Sequence, residues 1–374
     1  MAAGIRERRA AVILVLSGLA GVWSGCDAGR PVPPPPASAT ATLPAGDELR
    51  ALLDGTLDEA YTRRLNLTDH AAWQVLHGVL AFGREFRVEK DGQPVLAIDY
   101  LLAGGAMKGW TMEAGDRGLR AVVEPGTKTG QGHPDQWLAL LAQCGVKPDE
   151  QLRVGERTFA MSDYVSQVQW DLPRNVAREY SWTLVGLTTY LPTTVRWPAM
   201  DGKEWGIERL MEIELEQDLN TSACGGAHRL MGLAVTLNRH LLQEGKLEGV
   251  WARADQRIRA AVDVTRSMQN PDGTFSTRFF SGQPGTSADL AQNLTATGHI
   301  LEFLLMALTD EQLREPWIAR AVVALCDILH TTRDLSLECG AVYHACHALV
   351  LYRERMFGPR SYAQPMTPET NRKP

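Results

Sequence analysis

Apolar stretches of helical length return along this chain every few tens of residues, and a histidine heads nearly all of them. The copies read His70-Ala-Ala-Trp-Gln-Val-Leu, His133-Pro-Asp-Gln-Trp-Leu-Ala, His228-Arg-Leu-Met-Gly-Leu-Ala, His299-Ile-Leu-Glu-Phe-Leu-Leu and His344-Ala-Cys-His-Ala-Leu-Val. A further stretch, Glu179-Tyr180-Ser181-Trp182-Thr183-Leu184, has the same apolar body with a carboxylate in place of imidazole. A repeated unit of this kind cannot bury its apolar face alone and does so by stacking on its neighbours. The same polar residue at the same end of each unit is then gathered in one place.

Between these stretches run more charged segments, 47–65, 205–219, 252–268 and 310–329, in which apolar residues recur at three and four. By contrast, 230–235 and 300–308 are apolar on nearly every side. A helix that is hydrophobic all round is buried, and one with a single stripe lies outside it. The alternation predicts an all-α domain over 47–358, built as about six helical hairpins in an inner and an outer ring. Residues 86–130 break the pattern. There Asp91-Gly92 separates two strand-like runs as a hairpin turn does, so a small strand-bearing insertion is expected. It either covers a site or is a decorative excursion.

The first 26 residues read as a targeting segment. Arg6, Arg8 and Arg9 precede an apolar run over 10–22, which is shorter than the ~20 residues that span a bilayer. Ser24-Gly25-Cys26 resembles the end of a bacterial lipobox, with Trp23 where an aliphatic residue is usual. Cys26 is thus the expected lipidation site, the other reading being an ordinary residue past a conventional cleavage point. Residues 27–46 form a proline-rich linker suited to an extended tether, and 359–374 read as a disordered tail. Together these predict an exported protein of the bacterial cell envelope or periplasm, anchored to the membrane through its lipidated N-terminus. A net charge of −6 without a basic stripe excludes nucleic acid as a partner. Five cysteines remain after Cys26, an odd number in a large domain, so no disulfide scaffold is expected.

Gln269-Asn270-Pro271-Asp272-Gly273-Thr274-Phe275-Ser276 resembles the helix-connecting turn of terpenoid cyclases, Gln-x-x-Asp-Gly-Ser-Trp. With the two-ring reading, the chain looks like a member of the α/α-toroid superfamily, which includes terpenoid cyclases and protein prenyltransferases. The resemblance covers roughly 47–358 and implies a fold rather than an activity. The Asp-x-Asp-Asp acid of the squalene-type cyclases is absent, as is the Asp-x-Cys zinc pair of the prenyltransferases. Cys224-Gly225-Gly226-Ala227 lacks the glutamine that closes the thioester of complement-like domains. Handling of an isoprenoid or terpenoid therefore stands only as a further alternative.

In such a toroid the inner helices run parallel, so His133, His228, His299, His344 and His70 would meet at one mouth of a central cavity. Helix N-termini keep a nearby imidazole neutral, the form that binds metal or accepts a proton. Gly132, Gly225, Gly226 and Gly298 stand just before histidines and would let a ligand approach backbone amides. Asp135, Glu179, Glu302 and Glu338 are the carboxylates at hand. The expected acid–base set is His133, His228, His299 and His344 with Glu179 and Glu302; the expected binding set is His70, Asp135, Cys224, Gly225, Gly226 and Gly298. The plainer reading has each histidine cap its own helix and Glu302 pair with Arg229 or Arg320. No cofactor is assigned. The i, i+4 pair Cys224–His228 and the i, i+3 pair His344–His347 leave a metal open. Two functions fit: acid–base chemistry on an envelope glycan or other small or polymeric substrate, and grip on a ligand or partner peptide without turnover.

Overall fold

In the computed structural model the described residues are 43–133, 135–175 and 179–362. The expected targeting segment, Cys26, all but the last few linker residues and most of the tail lie outside the described residues. The chain is predominantly helical, with twelve α-helices and four two-stranded antiparallel hairpins among the described residues.

Two kinds of helix alternate. Helices α1 (Asp47–Tyr61), α3 (Ala97–Leu102), α5 (Met161–Asp171), α7 (Ile207–Leu215), α9 (Gly249–Ser267) and α11 (Pro316–Thr331) bury one face. In α1, Leu49, Leu53, Thr56, Leu57 and Ala60 form that stripe. Helices α2 (Ala72–Phe82), α4 (Asp135–Gln143), α6 (Ser181–Tyr190), α8 (Ala227–Gln243), α10 (Leu290–Ala307) and α12 (Cys339–Phe357) are buried over most of their circumference. Each of the latter packs on the next, α4 on α6, α6 on α8, α8 on α10, α10 on α12, and α12 returns to α2, which touches α4 more sparingly. The one-faced helices sit against this succession, with α1 touching both α11 and α12. Small residues let the buried helices approach: a Cβ on Gly298 of α10 would lie 2.9 Å from the Ala345 nitrogen of α12, and one on Gly232 of α8 would lie 2.8 Å from the Ser181 Cα of α6.

The hairpins are β1 (Arg87–Lys90) with β2 (Gln93–Leu96), β3 (Trp110–Ala114) with β4 (Leu119–Val123), β5 (Gln151–Val154) with β6 (Arg157–Ala160), and β7 (Arg196–Pro198) with β8 (Glu204–Gly206). Asp91 and Gly92 turn the first at φ 52° and 75°, the left-handed pair that matches strand twist. The expectation of strands in 86–130 alone is too narrow. Three hairpins stand directly before a one-faced helix, β2 running into α3, β6 into α5 and β8 into α7. Strands of three or four residues are too short to show alternation in the sequence, which is why the second and third went unread.

Polar contacts fix the joints. The Asp272 carboxylate accepts from the Thr274 amide (2.9 Å) and hydroxyl (2.7 Å) in the turn between α9 and α10. Gln269 donates to the Gly273 carbonyl and to the Trp317 carbonyl of α11, and Phe275 packs fully buried against the Trp317 ring. At the chain's ends Arg353 of α12 pairs with Asp54 of α1 at 2.8 Å, and Arg360 pairs with Asp58 at 2.5 Å. Glu214 of α7 is fully buried; it accepts from the Tyr180 amide at 2.6 Å and from Arg229 of α8 at 2.9 Å, so one carboxylate holds the starts of α6 and α8. Taking away one partner of a buried ion pair strands the other charge. Glu214→Ala should therefore cost about 3–5 kcal/mol in urea unfolding, whereas a loss within about 0.5 kcal/mol would mean that the pair is solvated and unimportant.

Candidate functional site

Four imidazoles from four buried helices converge. His77 (α2), His228 (α8), His299 (α10) and His344 (α12) are only 1–3% exposed. Ring centroids lie 3.8 Å apart for His299–His344, 5.1 Å for His77–His344, 5.2 Å for His228–His299 and 5.8 Å for His228–His344. Trp182 of α6 flanks His228 and Phe279 flanks His299.

The depth of these rings differs from the sequence expectation. His228 does open its helix, but His344 lies in the second turn of α12 and His299 farther inside α10. Asp289 caps α10 by accepting from the Ala291 amide, and Glu338 caps α12 by accepting from the Gly340 and Ala341 amides. Both helices thus begin well before the first unbroken apolar run. The imidazoles of His228, His299 and His77 are held below the usual histidine range, but desolvation is the leading cause rather than a helix terminus.

Several of the residues expected at the site do come together. His228, His299 and His344 meet, and Glu302 joins them. Its carboxyl oxygens lie 2.7 Å from His344 Nδ1 and 2.6 Å from His347 Nδ1, so it partners neither Arg229 nor Arg320. Burial pushes the Glu302 carboxyl up to about 7 against the lowering pull of the His347 hydrogen bond and charge. His133 and Glu179 stand beside each other, His133 Nε2 lying 3.8 Å from the Glu179 carboxylate. Burial raises Glu179, but His133, His228, Arg229 and the Ser181 hydroxyl outweigh it and hold its carboxyl below the usual range. Cys224 sits close to His228 and His299, the three potential ligand atoms lying within 4.8 Å of one another.

Other expected members do structural work. His70 Nδ1 bonds the Asn66 backbone within its own turn. Asp135 accepts from the Thr183 hydroxyl and ties α4 to α6. A Cβ on Gly225 would strike the Phe279 side chain at 2.4 Å, and one on Gly226 would strike Leu219 at 2.6 Å. The space over Gly225, Gly226 and Gly298 is therefore filled by protein. Sequence reasoning missed His77. It lies six residues after the residue capping α2, as His344 lies six after the residue capping α12, so counting from caps rather than from the first apolar residue would have found it.

The result is a line of titratable groups running inward from His133, whose side chain is 17% exposed, through Glu179, His228, His299 and His344 to Glu302 and His347. No known family model matches the chain, and no curated protein or solved structure matches it either.

Glu302 supplies a check on that chemistry. A carboxyl raised from 4.5 to about 7 in the folded state contributes stability that is complete below the lower value and lost as pH rises through the upper one. Glu302→Gln, which cannot ionise, should gain on the wild type in thermal stability as pH rises across that window. A difference between the two that does not change with pH would show that Glu302 is ionised throughout.

Proposed function

We propose that this chain is an exported, membrane-tethered α/α toroid whose central histidine site performs acid–base chemistry on a glycan or other small or polymeric substrate of the cell envelope. The closed succession α2, α4, α6, α8, α10, α12, with one-faced helices outside it, supports the toroid. So does the knit of the Gln269–Ser276 turn onto α11. The observation that carries the functional reading is the convergence of four buried imidazoles between two carboxyls of opposite character. An ionised Glu179 suits a general base and a proton-holding Glu302 suits an acid acting through His344, and separated pKa values in one site mark such division of labour. His133, the solvent-reached member, is where a substrate would enter. Export and the choice of a glycan rest on the sequence features and on the toroid resemblance. The tether rests on Cys26: a fatty-acid analogue should label the wild type and spare Cys26→Ser.

Near-complete burial of the imidazoles favours a second reading, a ligand held without turnover. A screen of the full chain against envelope glycans and isoprenoid lipids separates the two. On the acid–base reading, Glu179→Gln and His299→Ala lower kcat by about 10²–10⁴-fold on the substrate found, with thermal unfolding near that of the wild type. If folded variants keep full turnover, or if a ligand binds and is never transformed, the catalytic reading fails.

A further inference from the structure

His228 is an anomaly among the buried polar side chains. Neither ring nitrogen has a hydrogen-bond partner among the described residues, and the side chain is 1% exposed. Leaving a buried polar group unmade costs about 1–3 kcal/mol, so an imidazole with two unsatisfied nitrogens calls for something to bond. His299 shows the complementary half of the pattern. Its Nδ1 lies 2.7 Å from the Thr295 carbonyl, which can only accept, so Nδ1 carries the hydrogen and Nε2 presents a bare lone pair. That Nε2 is buried without a partner among the described residues. An imidazole whose outer nitrogen is tied to a carbonyl, with the inner one open, is the arrangement of a metal-ligating histidine.

Cys224 completes the set from the other side. It is not glycine, yet it adopts φ 46° and ψ 42°, followed by Gly225 and Gly226 at φ 57° and 81°. The left-handed conformation costs an L-residue about 1–2 kcal/mol, and a glycine would take it freely. In this conformation Sγ lies within 4.8 Å of ring nitrogens of His228 and His299. Phe279, also left-handed at φ 51°, closes over this turn and against His299. Among the described residues the third non-glycine with positive φ is Asp91, in a hairpin turn. The other two meet at this cluster, and such outliers gather at functional sites.

We propose that Cys224, His228 and His299 bind one divalent transition-metal ion, zinc in the first instance. One thiolate and two imidazoles form a borderline-soft set that suits zinc, and three protein ligands leave a fourth position open. Ligand atoms of a tetrahedral zinc site stand roughly 3.5 Å apart; the present ones lie within 4.8 Å, a gap of a size that side-chain torsions close. The inference shares side chains with the acid–base reading but does not rest on it. With an ion in place, proton transfer falls to Glu179, His133, His344 and Glu302.

The full chain, purified without chelator and then loaded with Zn²⁺ or Co²⁺, decides the matter. The expected result is one ion per chain, a thermal midpoint raised by several degrees, and a thiolate-to-cobalt charge-transfer band in the near-ultraviolet. Cys224→Ser should abolish that band, Cys144→Ser should leave it, and His299→Ala should abolish stoichiometric binding. Should the site variants fail to fold, the wild-type band and its survival in Cys144→Ser carry the test. No stoichiometric ion, an ion without the thiolate band, or a band kept in folded Cys224→Ser overturns the proposal. Ion binding is read without substrate, so a metal-loaded protein that turns over no glycan sinks only the catalytic reading. Turnover by a chain that binds no ion sinks only this one.

Discussion

A carboxyl group with no exposure to solvent must find its hydrogen bonds inside the protein, and Glu302 finds both on one helix. His344 and His347 are separated by one turn of α12, and each sets Nδ1 within hydrogen-bond distance of a different oxygen of Glu302 on α10. Two bonds from one planar group leave little freedom in the rotation or sliding of α10 against α12. Gly298, packed against the Ala345 backbone one turn away, brings the two axes close enough for those bonds to form. His299 and His344 are thereby set 3.8 Å apart. Polar bonding and the absence of a side chain at Gly298 act on the same interface.

Two other polar joints repeat this logic. Glu214 gathers the starts of α6 and α8, and Asp135 with Thr183 gathers α4 and α6. Each bond stands at the end of a buried helix, where backbone groups lack partners and where small angular errors would move the site most. Apolar packing supplies the attraction between helices, but it is non-directional. Direction comes from these few carboxylates.

Much of the helical plan is legible in the sequence because burial imposes composition. The stripe of α1 and the all-round apolarity of α8 and α10 place each helix on its proper side of the packing. The hairpins outside 86–130 were hidden because strands this short have no period to detect. Site residues were legible by type but not by depth. His228, His299, His344, Glu302, Glu179 and His133 were named from the pattern, yet a reading anchored on the first apolar residue picked His70 over His77. Thr295, Asn293 and Gln292 extend α10 upstream with polar side chains, so the apolar run understates the helix. What Cys224 does with its backbone is beyond sequence altogether, since nothing in Ala-Cys-Gly-Gly announces that the cysteine shares the glycines' left-handed geometry.

His77 and His344 stand on the first and last of the buried helices, at nearly opposite ends of the described chain. Their meeting closes a loop that spans most of the described chain, and the entropy of closing a loop rises with the logarithm of its length. Helices α7 to α10 can pair with near neighbours as they emerge, but the cluster of four imidazoles is incomplete until α12 has come back to α2. The histidine site is therefore an indicator of a finished chain. A polypeptide that stops short of residue 339 lacks α12, and with it His344, His347 and both hydrogen-bond partners of Glu302.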